Sequence, residues 1–88
     1  MNHRRCEFEI IGKILDISKN GAKKTEILYK GNFSYSQLTG YLSFLIERNI
    51  LEEKTEEENT NNNKYYITTE KGKDLLGNIN KTLSFLEE

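Results

Sequence analysis

The chain has 88 residues, of which 35% are hydrophobic and 31% are charged, and its formal net charge is -1. This length accommodates one small domain and excludes a large multidomain enzyme. Residues 1–50 contain 8 basic and 5 acidic side chains, whereas residues 51–88 contain 5 and 9. The chain can therefore carry only a local basic patch, and its overall charge by itself does not predict nucleic-acid binding.

The composition also predicts where the protein works. Cys6 is the single cysteine, so an intramolecular disulfide is impossible. The first residues carry charges and no apolar run of signal-peptide type, and no segment approaches the about 20 apolar residues that a membrane span needs. We therefore expect a cytoplasmic protein without a membrane partner.

The first third of the chain predicts two helices. Because the chain contains no proline, glycine and asparagine mark where helical periodicity stops. Helix 1 is predicted from about Arg5 to Ser18, and Asn20 and Gly21 then close it. Its apolar side chains recur at helical spacing: Ile10, Ile11, Ile14 and Leu15. A short helix 2 is predicted from about Lys23 to Lys30.

Helix 3 is predicted from about Tyr35 to Arg48. Ser34 is placed as its N-cap, with Gln37 three residues on as in a capping box. At 100° per residue, one side of the helix faces the core. That side is predicted to carry Tyr35, Leu38, Tyr41, Leu42 and Leu45. The opposite, polar side is then available for a partner.

The rest of the chain predicts a hairpin and a last helix. Two strands, Ile50–Lys54 and Lys64–Thr68, flank a long polar loop. Thr69 caps helix 4, in which four apolar residues recur at intervals of 3, 4 and 3: Leu76, Ile79, Leu83 and Leu86. Because that spacing is a short heptad seam, residues 70–88 are predicted to be a dimerisation element attached to the domain formed by residues 1–69. The alternative is that part of the stripe, at the Leu75 and Leu76 end, packs on helix 1 of the same chain.

Three helices, a hairpin and a last helix follow the order of a winged helix-turn-helix domain, an α+β fold that is mostly helical. Stretches along nearly the whole chain carry a more specific resemblance: Glu9-Ile10-Ile11, Ile14-Leu15, Lys24-Thr25, Ile27, Tyr29, Asn32-Phe33-Ser34-Tyr35, Leu38, Tyr41-Leu42, Leu45, Ile50-Leu51, Tyr66-Ile67-Thr68 and Glu70-Lys71-Gly72. In order and spacing they resemble the small archaeal winged-helix proteins of the chromatin-associated and transcriptional-regulator type. This resemblance implies a DNA-binding fold, often a homodimer joined through the last helix as an antiparallel coiled coil.

The polar side of helix 3 is the predicted DNA-reading face. It carries Ser36, Gln37, Thr39, Gly40 and Ser43. Glutamine can pair with adenine, hydroxyl groups can meet a base or a phosphate, and glycine lets the backbone come close to DNA. The alternative is an ordinary solvated face, which Glu47 and the absence of lysine or arginine on this side favour.

Two pairs of lysines are predicted to hold phosphates. Lys23 and Lys24 open helix 2, where unpaired backbone N–H groups already favour an anion. Lys54 and Lys64 stand at the two ends of the hairpin loop, which is acidic at Glu56–Glu58. The alternative for the hairpin lysines is cross-strand pairing with Glu52 or Glu53.

The sequence offers no support for catalysis. His3 and Cys6 are two potential zinc ligands where a structural site needs four. Glu52 and Glu53 alternate across a strand, so they do not converge as an acid and base pair. We therefore expect a protein that is not an enzyme and has no metal, cofactor or small-molecule ligand.

These patterns lead to two hypotheses for the function. The first is a DNA-binding transcriptional regulator or chromatin-associated protein, located with the nucleoid in the cytoplasm, whose partners are double-stranded DNA and a second copy of the chain. The second is a winged-helix module that binds a basic protein surface through its acidic hairpin and does not bind DNA. Salt-dependent binding to duplex DNA distinguishes the two.

Overall fold

The computed structural model describes residues 6–55 and 64–87. It contains four helices and one antiparallel two-stranded sheet, so the predicted winged helix-turn-helix architecture is confirmed. The helices are α1 (Glu7–Ile17), α2 (Lys24–Gly31), α3 (Tyr35–Glu47) and α4 (Glu70–Leu86), and the strands are β1 (Leu51–Thr55) and β2 (Lys64–Thr68). The predicted helix start at Arg5 and the acidic loop residues Glu56–Glu58 lie outside the described residues.

One hydrophobic core joins all four helices and the hairpin. Every residue predicted to face inward on helix 1 is buried, as are the three leucines of helix 3. The core consists of Ile10, Ile11, Ile14, Leu15, Ala22, Ile27, Phe33, Leu38, Leu42, Leu45, Ile50, Leu51, Tyr66, Leu76 and Ile79. Each large aliphatic side chain that is removed from water in this way stabilises the fold by about 1.5–3 kcal/mol.

Asparagine ends both helices of the helix-turn-helix unit. Asn32 (φ 57°) and Asn49 (φ 61°) adopt the left-handed conformation, which asparagine tolerates better than most residues. After α3, the N–H of Asn49 donates to the carbonyl of Ile46, and the N–H of Ile50 donates to the carbonyl of Leu45. These two bonds form a Schellman motif that directs the chain from α3 into β1.

A single residue before α2 extends the sheet. Ala22 forms an antiparallel bridge with Tyr66, in which its N–H donates over 2.9 Å and its carbonyl accepts over 2.8 Å. This bridge pairs the edge of β2 that does not face β1 and places the start of α2 beside the hairpin. One bridged residue has no periodicity, so the sequence patterns could not predict it.

Buried polar contacts connect the hairpin to the end of α1. The hydroxyl of Thr68 donates to the carbonyl of Leu15 over 2.8 Å, and the N–H of Thr68 donates to the carbonyl of Ser18. Leu15 lies in the last turn of α1 and Ser18 is its C-cap, where the helix itself supplies no donor for the carbonyls. The hairpin therefore caps α1 as well as packing against it.

Helix α4 packs along α1, and this contact corrects part of the predicted dimer seam. Leu76 and Ile79 are only 7% and 4% exposed, and Ile79 lies against Gly12 of α1. These two residues therefore belong to the chain's own core and are not available to a second copy. The alternative that the Leu76 end packs on helix 1 therefore applies, and it extends to Ile79. The spacing alone could not decide, because an apolar stripe has the same period whether it packs inside one chain or between two.

Candidate nucleic-acid interface

The predicted reading face of α3 is exposed as expected. All five of its predicted residues are exposed: Ser36, Gln37, Thr39, Gly40 and Ser43. The hydroxyl of Ser34 accepts the backbone N–H of Gln37 over 3.2 Å, which confirms Ser34 as the N-cap of the helix. Apart from the adjoining residues and the backbone of its own helix, no heavy atom of the described residues lies within 4 Å of a Cβ built on Gly40. The surface is thus open to close approach by another molecule.

Two grooves flank this face. The first lies between α1 and α3 and is lined by Glu7, Ile11, Ser36, Gln37, Gly40, Tyr41 and Phe44. The second, which we call the hairpin groove, lies between α3 and the hairpin and is lined by Lys24, Thr39, Leu42, Ser43, Ile46, Glu47, Glu53 and Tyr66. Helix α3 is therefore a ridge between two depressions, a shape that allows it to enter a wider groove on a partner.

Lys24 is held against α3 instead of extending freely into solvent. Its Nζ donates to Oγ1 of Thr39 over 3.0 Å and lies 4.1 Å from the centre of the Tyr35 ring. The hydroxyl of Thr39 in turn donates to the carbonyl of Tyr35 over 2.9 Å. The neighbouring Lys23 is exposed at the N-cap of α2. Of the two predicted lysines of α2, the structure thus brings Lys24 onto the reading face, whereas Lys23 lines a separate depression with Glu26 and Tyr65.

The position of Tyr35 corrects the prediction that it faces the core. Its side chain is 65% exposed, whereas Tyr41 on the same helix is partly buried. Tyr35 is the first residue of α3, and helical Cα–Cβ bonds tilt toward the N-terminus, so its ring extends past the helix end and leaves the core. A helical wheel ignores this displacement along the axis.

The hairpin lysines have different environments. Nζ of Lys64 lies 3.8 Å from Oε2 of Glu53, so the alternative of cross-strand pairing applies to this lysine. Both side chains are substantially exposed, which makes the pair weak. Lys54 is exposed and lies opposite Tyr65 in the register of the two strands.

Glu53 also contacts a buried tyrosine. The hydroxyl of Tyr66 donates to Oε2 of Glu53 over 3.3 Å. Burial, together with the negative charge of Glu53, raises the pKa of Tyr66, so this phenol stays protonated and available as a donor. Glu53 thus presents a carboxylate to the hairpin groove from the opposite side to Lys24.

Residues 6–55 and 64–87 contain no group of three or more His, Cys, Asp or Glu side chains that could hold a metal ion. His3, one of the two candidate zinc ligands, lies outside these ranges. In the same ranges, no helix is long and apolar enough to cross a membrane.

Comparisons with known proteins agree with this geometry. A sequence model described as winged helix-turn-helix matches residues 4–87. An uncharacterized protein of Methanocaldococcus jannaschii is 31% identical over 78 residues, which cover 88% of this chain and 72% of that protein. The crystal structure of Sso10a-2, a DNA-binding protein from Sulfolobus solfataricus, matches with a TM-score of 0.85 and 31% sequence identity over 94% of this chain and 83% of that one.

Proposed function

Because the chain belongs to the winged helix-turn-helix family, we propose that it binds double-stranded DNA by inserting α3 into the major groove. The observation that carries this proposal is the exposed polar ridge of α3 with the Lys24 ammonium held against its first turns. The resemblance to small archaeal winged-helix proteins supports it, and so does the similarity to Sso10a-2, which is described as DNA-binding.

Within this proposal, the residues have separate roles. Lys23 and Lys24, with Lys54 and Lys64 of the hairpin, contact phosphates and set the orientation of the protein on the duplex. Ser36, Gln37, Gly40 and Ser43 approach the base edges, and Thr39 lies on the same ridge in contact with Lys24. Sequence preference is modest, since no arginine on this ridge can make the bidentate contact to guanine. The protein acts as a transcriptional regulator or a chromatin-associated protein in the cytoplasm and catalyses no reaction.

Fluorescence anisotropy with a labelled duplex, titrated at two salt concentrations, tests this function. We expect affinity to fall steeply as salt rises, with a log-log slope of about -0.9 for each phosphate that the protein neutralises. If the protein binds no duplex at low salt, the proposal is wrong and the protein-interaction hypothesis takes its place.

The roles of individual residues are tested in the same assay. Changing Lys23 and Lys24 together to alanine should weaken binding to every duplex alike and flatten the salt slope by about 2. Changing Lys13 and Lys81 to alanine is the matched control, because it removes the same charge from exposed positions of α1 and α4. Gln37→Ala should instead change the preference among sequences, and an equal loss on every sequence would show that Gln37 does not read bases.

A further inference from the structure

The start of α3 presents two hydrogen-bond donors next to each other. The Lys24 ammonium lies over the face of the exposed Tyr35 ring, 4.1 Å from its centre. The phenol hydroxyl at the edge of that ring is a second donor. The ammonium is 4.1 Å from the ring centre, and the hydroxyl is bonded to the same ring. Hydrogen bonds of about 2.8 Å from the two groups can therefore reach two oxygens of one tetrahedral anion.

The ammonium is positioned without being neutralised. Among the described residues, no carboxylate oxygen lies within ion-pair distance of Lys24, although Lys19, Lys30, Lys64 and Lys73 each have such a partner. Lys24 uses one of its three donors on Thr39. Two donors and the full positive charge therefore remain for a ligand, and the usual entropic cost of immobilising a lysine is already partly met within the folded protein.

Thr39 is committed to this arrangement. Its hydroxyl accepts from Lys24 over 3.0 Å and donates to the carbonyl of Tyr35 over 2.9 Å. The single proton of a hydroxyl group is thereby used, so Thr39 has no donor left for a base. Its geometry suits a residue that holds Lys24 in place.

We propose that Lys24 and Tyr35 together bind one phosphate of the DNA backbone, and that Thr39 is a positioning residue for Lys24 and not a base-reading one. This inference rests on the proposed function. A phosphate fits this site because both ligand groups are donors and one is a cation, which matches the oxygens and the negative charge of a phosphate. Thr39, whose one proton is already used, cannot itself donate to a base. The position of the site at the start of α3 agrees with this role, because contacts to DNA phosphates at the start of a recognition helix fix its register in the groove.

Tyr35→Phe is the most direct test, since it removes the hydroxyl and leaves the ring under Lys24. We expect affinity for every duplex to fall by about tenfold, in line with the loss of one hydrogen bond to a charged group. The salt slope should stay unchanged because no charge is lost. Tyr29→Phe is the matched control: Tyr29 is 86% exposed on α2, and its loss of a hydroxyl should leave binding unaltered.

Two further variants separate the roles of the other residues. Lys24→Met, which keeps the aliphatic stem, should weaken binding and reduce the salt slope by about 0.9. Thr39→Val should weaken binding several-fold to all sequences equally, and a loss that depends on sequence would show that Thr39 reads a base. Thermal unfolding of each variant by circular dichroism checks that the domain remains folded.

The outcomes distinguish this inference from the proposed function itself. If the wild-type protein binds duplex DNA and Tyr35→Phe binds as tightly, the shared phosphate site is wrong while DNA binding stands. A loss for Tyr35→Phe that varies with sequence also overturns the phosphate assignment. If the wild-type protein binds no duplex, the proposed function fails first and this inference fails with it.

Discussion

Gly72 allows the first turn of α4 to lie directly on the backbone that leaves α3. A Cβ built at this buried position would collide with the carbonyl oxygen of Ile50 and come within 2.7 Å of Cγ2 of Thr68. The neighbouring Thr69 ties the same two segments together, because its hydroxyl donates to the Ile50 carbonyl and accepts the N–H of Gly72, both over 3.0 Å. The nearest atom is a backbone carbonyl oxygen, which cannot move aside as the end of a flexible side chain could.

Gly72→Ala should therefore lower the free energy of unfolding by at least about 1–3 kcal/mol, the usual cost of forcing extra volume into a packed site. Gly77→Ala on the same helix is the matched control, since Gly77 is exposed and has open space where its Cβ would stand. That change should stabilise α4 by about 0.5–1 kcal/mol, because alanine loses less backbone entropy on folding. Chemical denaturation of the two variants measures both effects, and equal stabilities would show that the Gly72 contact is unimportant.

Two mostly exposed tyrosines of this chain have different surroundings. Tyr29 and Tyr35 are both mostly exposed, yet only Tyr35 lies beneath a lysine ammonium. The lysine restrains the tyrosine, and the threonine one turn later restrains the lysine. Tyr35 is therefore held in one position by its neighbours, although it is mostly exposed.

At the scale of elements, the hairpin combines donors and carboxylates on one face. Tyr66 and Glu53 lie opposite each other in the register of β1 and β2, and Lys64 is diagonal to Glu53. Strand residues alternate between faces, so Glu52 lies on the other side of the sheet. The side that faces α3 therefore carries Lys64 beside the carboxylate of Glu53, which partly offsets the charge of the lysine.

This arrangement predicts that Glu53 limits the affinity for DNA. Glu53→Gln should raise duplex affinity several-fold and steepen the salt slope by up to about 0.9, because Lys64 becomes free to neutralise a phosphate. Glu52→Gln removes the same charge from the opposite face and should have a smaller effect. Anisotropy titrations at several salt concentrations compare the two variants. Equal gains would mean that only the net charge matters and that the Lys64–Glu53 pair does not.

At the scale of the whole molecule, the last turns of α4 leave apolar surface uncovered. Phe85 and Leu86 are 68% and 71% exposed, and Leu83 is partly buried. Phe8 of α1, 54% exposed, adds to the apolar surface near the α1–α4 contact. With Leu76 and Ile79 in the core, the proposed homodimer would have to use Leu83, Phe85 and Leu86.

The dimer prediction is that the protein sediments as a dimer and places two α3 ridges on one duplex, with a half-site spacing set by the dimer geometry. Leu83→Lys combined with Leu86→Lys should give a folded monomer, because two charges cannot remain in an apolar contact without a partner. Ser84→Lys, which adds a charge to the same turn at an exposed polar position, should leave the dimer intact. Sedimentation equilibrium decides, and a monomer mass for the wild type at high micromolar concentration would contradict the dimer.

The sequence by itself determined the elements and their order. The helical spacing of Ile10, Ile11, Ile14 and Leu15 and the capping by Ser34 and Thr69 depend on contacts within a few residues of one another. Such local contacts leave a periodic trace in the chain. For the same reason, the exposed ridge of α3 was predicted correctly from its wheel.

Only the tertiary structure decided how those elements cover one another. The bridge between Ala22 and Tyr66, the burial of Leu76 and Ile79 by α1, and the pairing of Lys24 with Tyr35 and Thr39 all join segments distant in sequence or on different elements. Amphipathic patterns show that a surface is apolar or polar, but they do not show which element covers it. The physical reason is that packing in three dimensions decides which elements contact each other. Contacts between residues far apart in the chain leave no periodic pattern in the sequence.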